Sequence, residues 1–421
     1  MPVDINQRQR GAICGDQSEI LMSQRDTPFL RTYCVLSGLT VIGPLAFEGF
    51  LPALNDAAAD LGTNNGTLLV TIATMSGGIA IGQLIFGPLS DRFGRRPIVL
   101  GGMALYVLSS LFASLINSAD PLFALRFFQG LSIACAMVIF RAVVRDLFAV
   151  RQGARMFSYL YTTLSVMPLV GPVVSGFLVE IYGWRSVFIM MVLLGSVVFL
   201  ILLFFFKESL PLENRRSMNP TVLATSFGEI IRDRTFASFL LVGVGTYGGL
   251  FAVLGGLAPV MITFMGESPG VFGLQFALIM TGHLIGAVVT GHLVRRYGIK
   301  KVMSVAVSIS AIGGGMFLAF ALVGISTRLS ILIPVTIFLI GFALSVAPMT
   351  AGAMSNFQHM AGRAASLMGF IQQGTGAMVT FLLSVFDNGT QMPMVLALTV
   401  TSCFALTNYV LFARRAPLSE N

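Results

Sequence analysis

The chain has 421 residues, 55% of them apolar and 10% charged, with a formal net charge of +8. Soluble domains carry about 25% charged residues, so this composition excludes an ordinary soluble protein. Each membrane-spanning helix needs roughly 20 apolar residues, and the chain has room for about a dozen.

Residues 1–30 are polar and hold no apolar core, which predicts a cytoplasmic tail rather than a cleavable leader. Six apolar runs follow, near 32–54, 67–87, 98–117, 121–144, 156–181 and 186–206. Residues 207–235 mix charges with Pro211 and Pro220 and read as a cytoplasmic linker. Six more runs lie near 236–264, 270–293, 302–324, 330–354, 364–386 and 392–413, before a short tail at 414–421. The runs are continuous rather than alternating, so they predict helices and not barrel strands. The expected fold is therefore an all-α membrane protein with an N-terminal six-helix bundle over 31–206 and a C-terminal one over 236–413.

The two halves share a turn. Residues 87–97 read GPLSDRFGRRP and residues 291–301 read GHLVRRYGIKK, 204 positions apart and each between two apolar runs. Gly87, Arg92, Phe93 and Gly94 match Gly291, Arg296, Tyr297 and Gly298. Such a duplication predicts pseudo-symmetric bundles, a known transporter architecture when the repeats run parallel.

The basic residues follow the topology. With the N-terminus inside and the spans threaded alternately, only Arg126, Arg185 and Arg328 of the 26 lysines and arginines fall outside the cytoplasmic segments. That bias sets orientation by the positive-inside rule and removes the case for a nucleic-acid partner. Cys14, Cys34, Cys135 and Cys403 are scattered without metal or redox spacing. Three histidines and no ligand cluster argue against a metal-dependent membrane enzyme.

Glu48 is the one carboxylate well inside a predicted span; Asp146, Glu180 and Asp387 lie at span ends. An ionisable group inside a membrane is costly, so its default reading is functional. The 17 residues from Arg31 to Glu48 span about 25 Å of helix, which puts Glu48 in the outer half. Arg126 lies about 9 Å below the opposite turn at Asp120, a compatible depth. It is always charged and cannot carry a proton, but it could tune or orient an acid. Gln129, one turn along, would share that cavity. Tyr161, Tyr247, Phe251 and His283 are candidate cavity residues, although a lone histidine on an apolar face is more often packing. The fifth and seventh runs are dense in glycine and proline, which let helices approach and bend.

GPLSDRFGRRP resembles the loop signature between the second and third spans of the major facilitator superfamily. Arg126, Gln129 and Gly130 in LRFFQGLS resemble its fourth-span signature. Gly171, Pro172 and Gly176 in LVGPVVSGFLVEIYGWR resemble the fifth-span motif of its exporters. FEGFLPALNDAAADLG is similar to the D-x-x-x-P-A-L stretch of drug/proton antiporters of the bicyclomycin and chloramphenicol resistance type. Glu48 stands where those proteins usually carry Asp, and Ser175 and Met167 replace two glycines of the exporter motif.

The resemblance implies a proton-coupled exporter of small, partly apolar compounds in a bacterial inner membrane, with protons as the coupling ion and no cofactor. It also implies that Asp91, Arg92, Arg95 and Asp146 form a conformational latch holding the halves together at the inner surface. A monomer with both termini cytoplasmic is expected, with a small-molecule substrate, protons and lipid as its partners. Two alternatives stay open: a proton symporter importing a metabolite, and a membrane receptor or scaffold that does not transport.

Overall fold

A computed structural model describes residues 29–215, 220–357 and 360–417. The tail expected over 1–30 lies almost wholly outside these residues. Among the described residues there are fourteen α-helices: α1 Phe29–Glu48, α2 Leu54–Asp60, α3 Asn65–Phe93, α4 Arg95–Leu115, α5 Ala119–Leu147, α6 Val150–Tyr182 and α7 Arg185–Phe205, then α8 Pro220–Arg232, α9 Arg234–Ala258, α10 Pro269–Tyr297, α11 Ile299–Leu322, α12 Arg328–Met354, α13 Ala361–Val385 and α14 Met392–Asn408.

Twelve spans result, because α1 and α2 form one broken span and α8 lies in the linker. Eleven are long and apolar enough to cross a membrane. The twelfth, α13, has the length, but Arg363, Gln372, Gln373 and several glycines lower its hydropathy. The linker contains an amphipathic helix, α8, packed on α9 and α13. Its apolar side chain Ile230 is fully buried.

The duplicated sequence becomes duplicated packing. In the first half α3 packs on α5, α4 on α7, and α1 on α6; in the second, α10 packs on α12 and α11 on α14. The halves meet along two seams, α3 with α13 and α6 with α10. Small residues allow the close approach. In the first half, a Cβ at Gly130 would collide with the Met75 carbonyl, and one at Gly78 with that of Phe127.

The break in the first span has a local cause. Pro52 has no N–H, so the Glu48 carbonyl loses its partner one turn on, and a 3₁₀ turn over Leu51–Ala53 replaces the α-helix. Gly49 still closes the last turn of α1 by donating to the Leu45 carbonyl at 3.1 Å.

Two ends of the molecule can be distinguished. The basic end carries the α3–α4 and α10–α11 turns, and the far end carries the break in the first span. Polar contacts between halves gather at the far end. Asn65 donates to Thr263 Oγ1 at 2.6 Å, and Thr263 donates to Asn55 Oδ1 at 2.9 Å. Glu180 of α6 caps α10, its Oε1 accepting from the Gly270 amide at 2.9 Å. Toward the basic end α5 and α12 are not packed against each other, and α6 and α10 leave Tyr161, Ile285 and Val288 exposed. The cross-half hydrogen bonds named above lie at the far end, and packing continues toward the basic end, where Gly362 of α13 lies close to Arg145 of α5.

Candidate functional site

Glu48 ends α1 at the break. The residue is part-buried, and its Oε2 is shielded from solvent with no hydrogen-bond partner. Its neighbour Phe47 meets Phe251 of the other half edge to face, ring centroids 5.4 Å apart. The carboxylate therefore sits next to the far-end closure, on the segment where helical hydrogen bonding has already been given up.

Arg126 does not pair with it. Fully buried, Arg126 donates through Nη1 to the Ala46 carbonyl at 3.0 Å and to Gln129 Oε1 at 2.9 Å. Its guanidinium lies 4.5 Å from the Phe50 ring centroid. Gln129 passes the chain on, donating to Ser110 Oγ at 2.8 Å. Arg126 and Gln129, expected to share a cavity, are hydrogen-bonded to each other, but the expected Glu48–Arg126 pairing is replaced by a contact to backbone. The reason is the break: Ala46 lies in the last turn of α1, where a carbonyl needs an outside donor. Arg126 supplies one and ties α5 to the broken span.

The basic-end cluster is also rearranged. Arg95 is buried, and its Nη1 meets Asp91 Oδ1 at 2.5 Å and Ser90 Oγ at 2.7 Å. Its Nε meets Asp146 Oδ2 at 3.0 Å. Glu208, unnoticed in the sequence, accepts from the Arg95 amide at 2.8 Å and the Arg96 amide at 3.1 Å. An anion at a helix N-terminus is favourable, and here it caps α4. Gly94 makes room for it: its φ is +98°, and a Cβ would lie 2.5 Å from Glu208 Oε2. Ser209 joins by donating to Asp146 Oδ2 at 3.2 Å. Arg92 is exposed, lies over the Phe93 ring at 5.2 Å, and has no ion pair among the described residues. The ion-paired members of the expected latch, Asp91, Arg95 and Asp146, thus lie within the first half, and their added partners Glu208 and Ser209 lie at the start of the linker. Among the described residues they form no ion pair or hydrogen bond with the second half.

The exporter-like motif lies on the cross-half seam. A Cβ at Gly176 would fall 2.5 Å from the Pro269 carbonyl oxygen, and Gly273 of α10 packs against the Pro172 carbonyl. Ser175 donates back to the Gly171 carbonyl at 2.8 Å, so the replacement of glycine is accommodated within α6. The motif holds α6 against α10 where the halves are clasped.

Three of the four candidate cavity residues converge. Tyr161 joins Phe157 and Phe140, centroids 6.0 and 6.2 Å away. Tyr247 meets Phe342 at 5.2 Å, and His283 stacks on the same ring at 5.7 Å. Tyr161 lies within electrostatic reach of the Tyr247 hydroxyl from across the halves. Phe251 belongs elsewhere: it is buried in the far-end closure against Phe47, with Gly376 packed on its ring. Among the described residues no group of three or more His, Cys, Asp or Glu is placed to hold a metal.

Comparison with known proteins agrees with this architecture. The family model of the Major Facilitator Superfamily matches residues 36–380. An uncharacterized MFS-type transporter of Bacillus subtilis, YdgK, is 29% identical over 87% of this chain and 92% of its own. A bicyclomycin resistance protein homolog of Haemophilus influenzae is 27% identical over 92% and 96%. A chloramphenicol resistance protein of Pseudomonas aeruginosa is 28% identical over 90% and 89%. Among solved structures, a D-xylose–proton symporter superposes with TM-score 0.71 at 16% identity, covering 93% of this chain and 99% of that one. A peptide transporter superposes with TM-score 0.73 at 13% identity, covering 90% and 93%; these two likenesses concern the fold. Duplicated bundles, the shared turn and the family match lead to one conclusion: the chain is a multi-pass membrane transporter, not an enzyme, and belongs to the Major Facilitator Superfamily.

Proposed function

We propose that this transporter is a proton-coupled exporter of small, partly apolar compounds, working by alternating access in a bacterial inner membrane with its basic end in the cytoplasm. The observation that carries the proposal is Glu48: a carboxylate inside a span, at a helix break, with one oxygen shielded and unpartnered. A group that must be desolvated in one state and reached by water in another can exchange a proton between the two sides. The relatives named for bicyclomycin, chloramphenicol and multidrug resistance support a drug-like cargo.

In the cycle, Glu48 takes a proton when its site faces outward, and cargo leaves. When the site faces the cytoplasm it loses the proton, and cargo binds again. A proton moving inward gains about 2.3 kcal/mol per 100 mV of membrane potential. Arg126 and Gln129 act in this scheme as positioning residues that hold the broken span on α5. The protein acts as a monomer, with no cofactor beyond the coupling proton.

The test is flux in proteoliposomes, with cargo chosen from a resistance profile in a pump-deficient bacterial host. Antiport requires that a proton gradient drive cargo against the direction of proton flow. Cargo moving with the protons would make the protein a symporter, and no flux for any compound of the profile would remove the transport reading altogether.

A further inference from the structure

We infer that Arg141 is the ligand-binding cation of a central cavity and selects compounds that join an aromatic body to an anionic group. The inference rests on the transport reading above and adds the chemistry of the cargo. By sequence Arg141 looked like one more topology-setting basic residue near a span end. The structure separates it from the others.

Arg141 lies six residues before the end of α5, so its Cα is about 9 Å from the basic end of that helix. Helical side chains tilt toward the N-terminus of their helix, which for α5 is the far end. The guanidinium therefore reaches inward from the basic surface. It lies 5.6 Å from the Phe140 ring centroid and within electrostatic reach of the Tyr247 hydroxyl, which belongs to the other half.

The contrast with the other interior cations is chemical. Arg126 donates through Nη1 to a carbonyl and a glutamine over an aromatic face, while its Nε and Nη2 are buried without a partner. Arg95 has two carboxylates and a serine. Arg141 has no hydrogen bond or ion pair among the described residues, and its Nε is buried without a partner. Arg141 is part-buried, with only Nε shielded; a cation inside a span without a protein partner is costly, and such a cost persists when a ligand is to supply the missing group. Arginine suits that role, because its planar fork meets a carboxylate or similar oxyanion through two parallel hydrogen bonds.

The surroundings define the rest of the ligand. Phe140, Phe157 and Tyr161 line the first half, and Tyr247, Phe342 and His283 line the second. His283 adds a buried Nδ1 with no partner. An aromatic ligand body would find stacking partners among such rings, with its anionic group toward Arg141. Because both halves contribute, occupancy would be sensed by the element that moves in alternating access.

Two xanthene dyes test this, since they share a ring frame and differ in charge: fluorescein is anionic and rhodamine 6G cationic. Binding to the purified full chain in nanodiscs is followed by fluorescence polarisation. The wild type should bind fluorescein more tightly than rhodamine 6G. Arg141→Ala should weaken fluorescein at least tenfold and leave rhodamine 6G unchanged or tighter. Arg141→Lys should fall between, because it keeps the charge and loses the fork. A monodisperse elution profile and an unchanged Tm show that a variant is folded. Equal fluorescein binding in folded Arg141→Ala, no fluorescein binding by the wild type, or a wild-type preference for rhodamine 6G would overturn the inference. Proton-driven efflux of fluorescein that is unchanged in folded Arg141→Ala would overturn it while sparing the exporter reading. Fluorescein binding that depends on Arg141, without flux under any proton gradient, would sink the exporter reading and spare the site.

Discussion

The two copies of the basic turn share a backbone and differ in almost everything attached to it. Gly94 and Gly298 both begin a helix with φ near +98° and +78° and ψ near 160°, a region open essentially to glycine. Around Gly94 stand Asp91, Arg95, Asp146, Ser209 and Glu208, linked into one network. Around Gly298, Arg295 and Arg296 are exposed, and Arg296 rests on the Tyr297 ring at 5.3 Å. Ile299 occupies the position of Arg95, and Arg295 that of Asp91. The same division extends inward. Glu48, Arg126 and Arg141 lie within spans of the first half, while the second half offers His283, Gln372 and Gln373. Duplication preserved the scaffold of both halves, and ionisable chemistry is concentrated in one.

The largest effect expected from breaking this asymmetry is at Arg126. Arg126→Ala would leave the Ala46 carbonyl and Gln129 Oε1 unpaired in the interior, at a cost of about 3 kcal/mol. Arg126→Lys should recover little of it, since one ammonium cannot reproduce a fork bridging two acceptors over an aromatic ring. Thermal unfolding in detergent reads both, and wild-type stability in either variant would reduce Arg126 to a spectator.

Next comes a matched pair. Gly94→Ala and Gly298→Ala impose the same backbone strain, about 1–3 kcal/mol. Only at position 94 does the new Cβ also displace a capping carboxylate, Glu208. Gly94→Ala should therefore lower Tm more than Gly298→Ala, and equal losses would mean the cap contributes nothing.

A smaller effect belongs to the acids. Asp146→Asn should disturb the turn more than Asp91→Asn, because the Asp146 side chain is 18% exposed and that of Asp91 45%. Solvated pairs are worth about 0–1 kcal/mol. Spin-label distances across the basic end should shift in Asp146→Asn, and a reversed order would place the working contact at Asp91. Smallest of all is Arg295→Gln, whose side chain makes no ion pair among the described residues; transport and Tm should stay at wild type.

Much of this was legible in the residues. Twelve apolar runs, one duplicated turn and one carboxylate inside a span gave the bundles, the symmetry and Glu48. What escaped was chosen by tertiary contact. The partner of Arg126 is a backbone carbonyl, and no sequence pattern marks which carbonyl a helix break will free, although Gly49 and Pro52 mark the break itself. Glu208 sits 113 residues from the amide it caps. Arg141 was hidden by its position near a span end, where a basic residue has an ordinary topological explanation. Phe251 looked like Tyr247, four residues earlier, until packing put it in the far-end closure.

The central claim is that Glu48 couples protons to cargo, and Glu48→Gln tests it most directly. Glutamine keeps the shape and removes the titrating group. Two assays on the same proteoliposomes separate coupling from movement: cargo flux driven by an imposed pH gradient, and cargo exchange at equal pH. Glu48→Gln should lose gradient-driven flux and its pH dependence while retaining exchange. Wild-type gradient-driven flux in that variant would contradict the account.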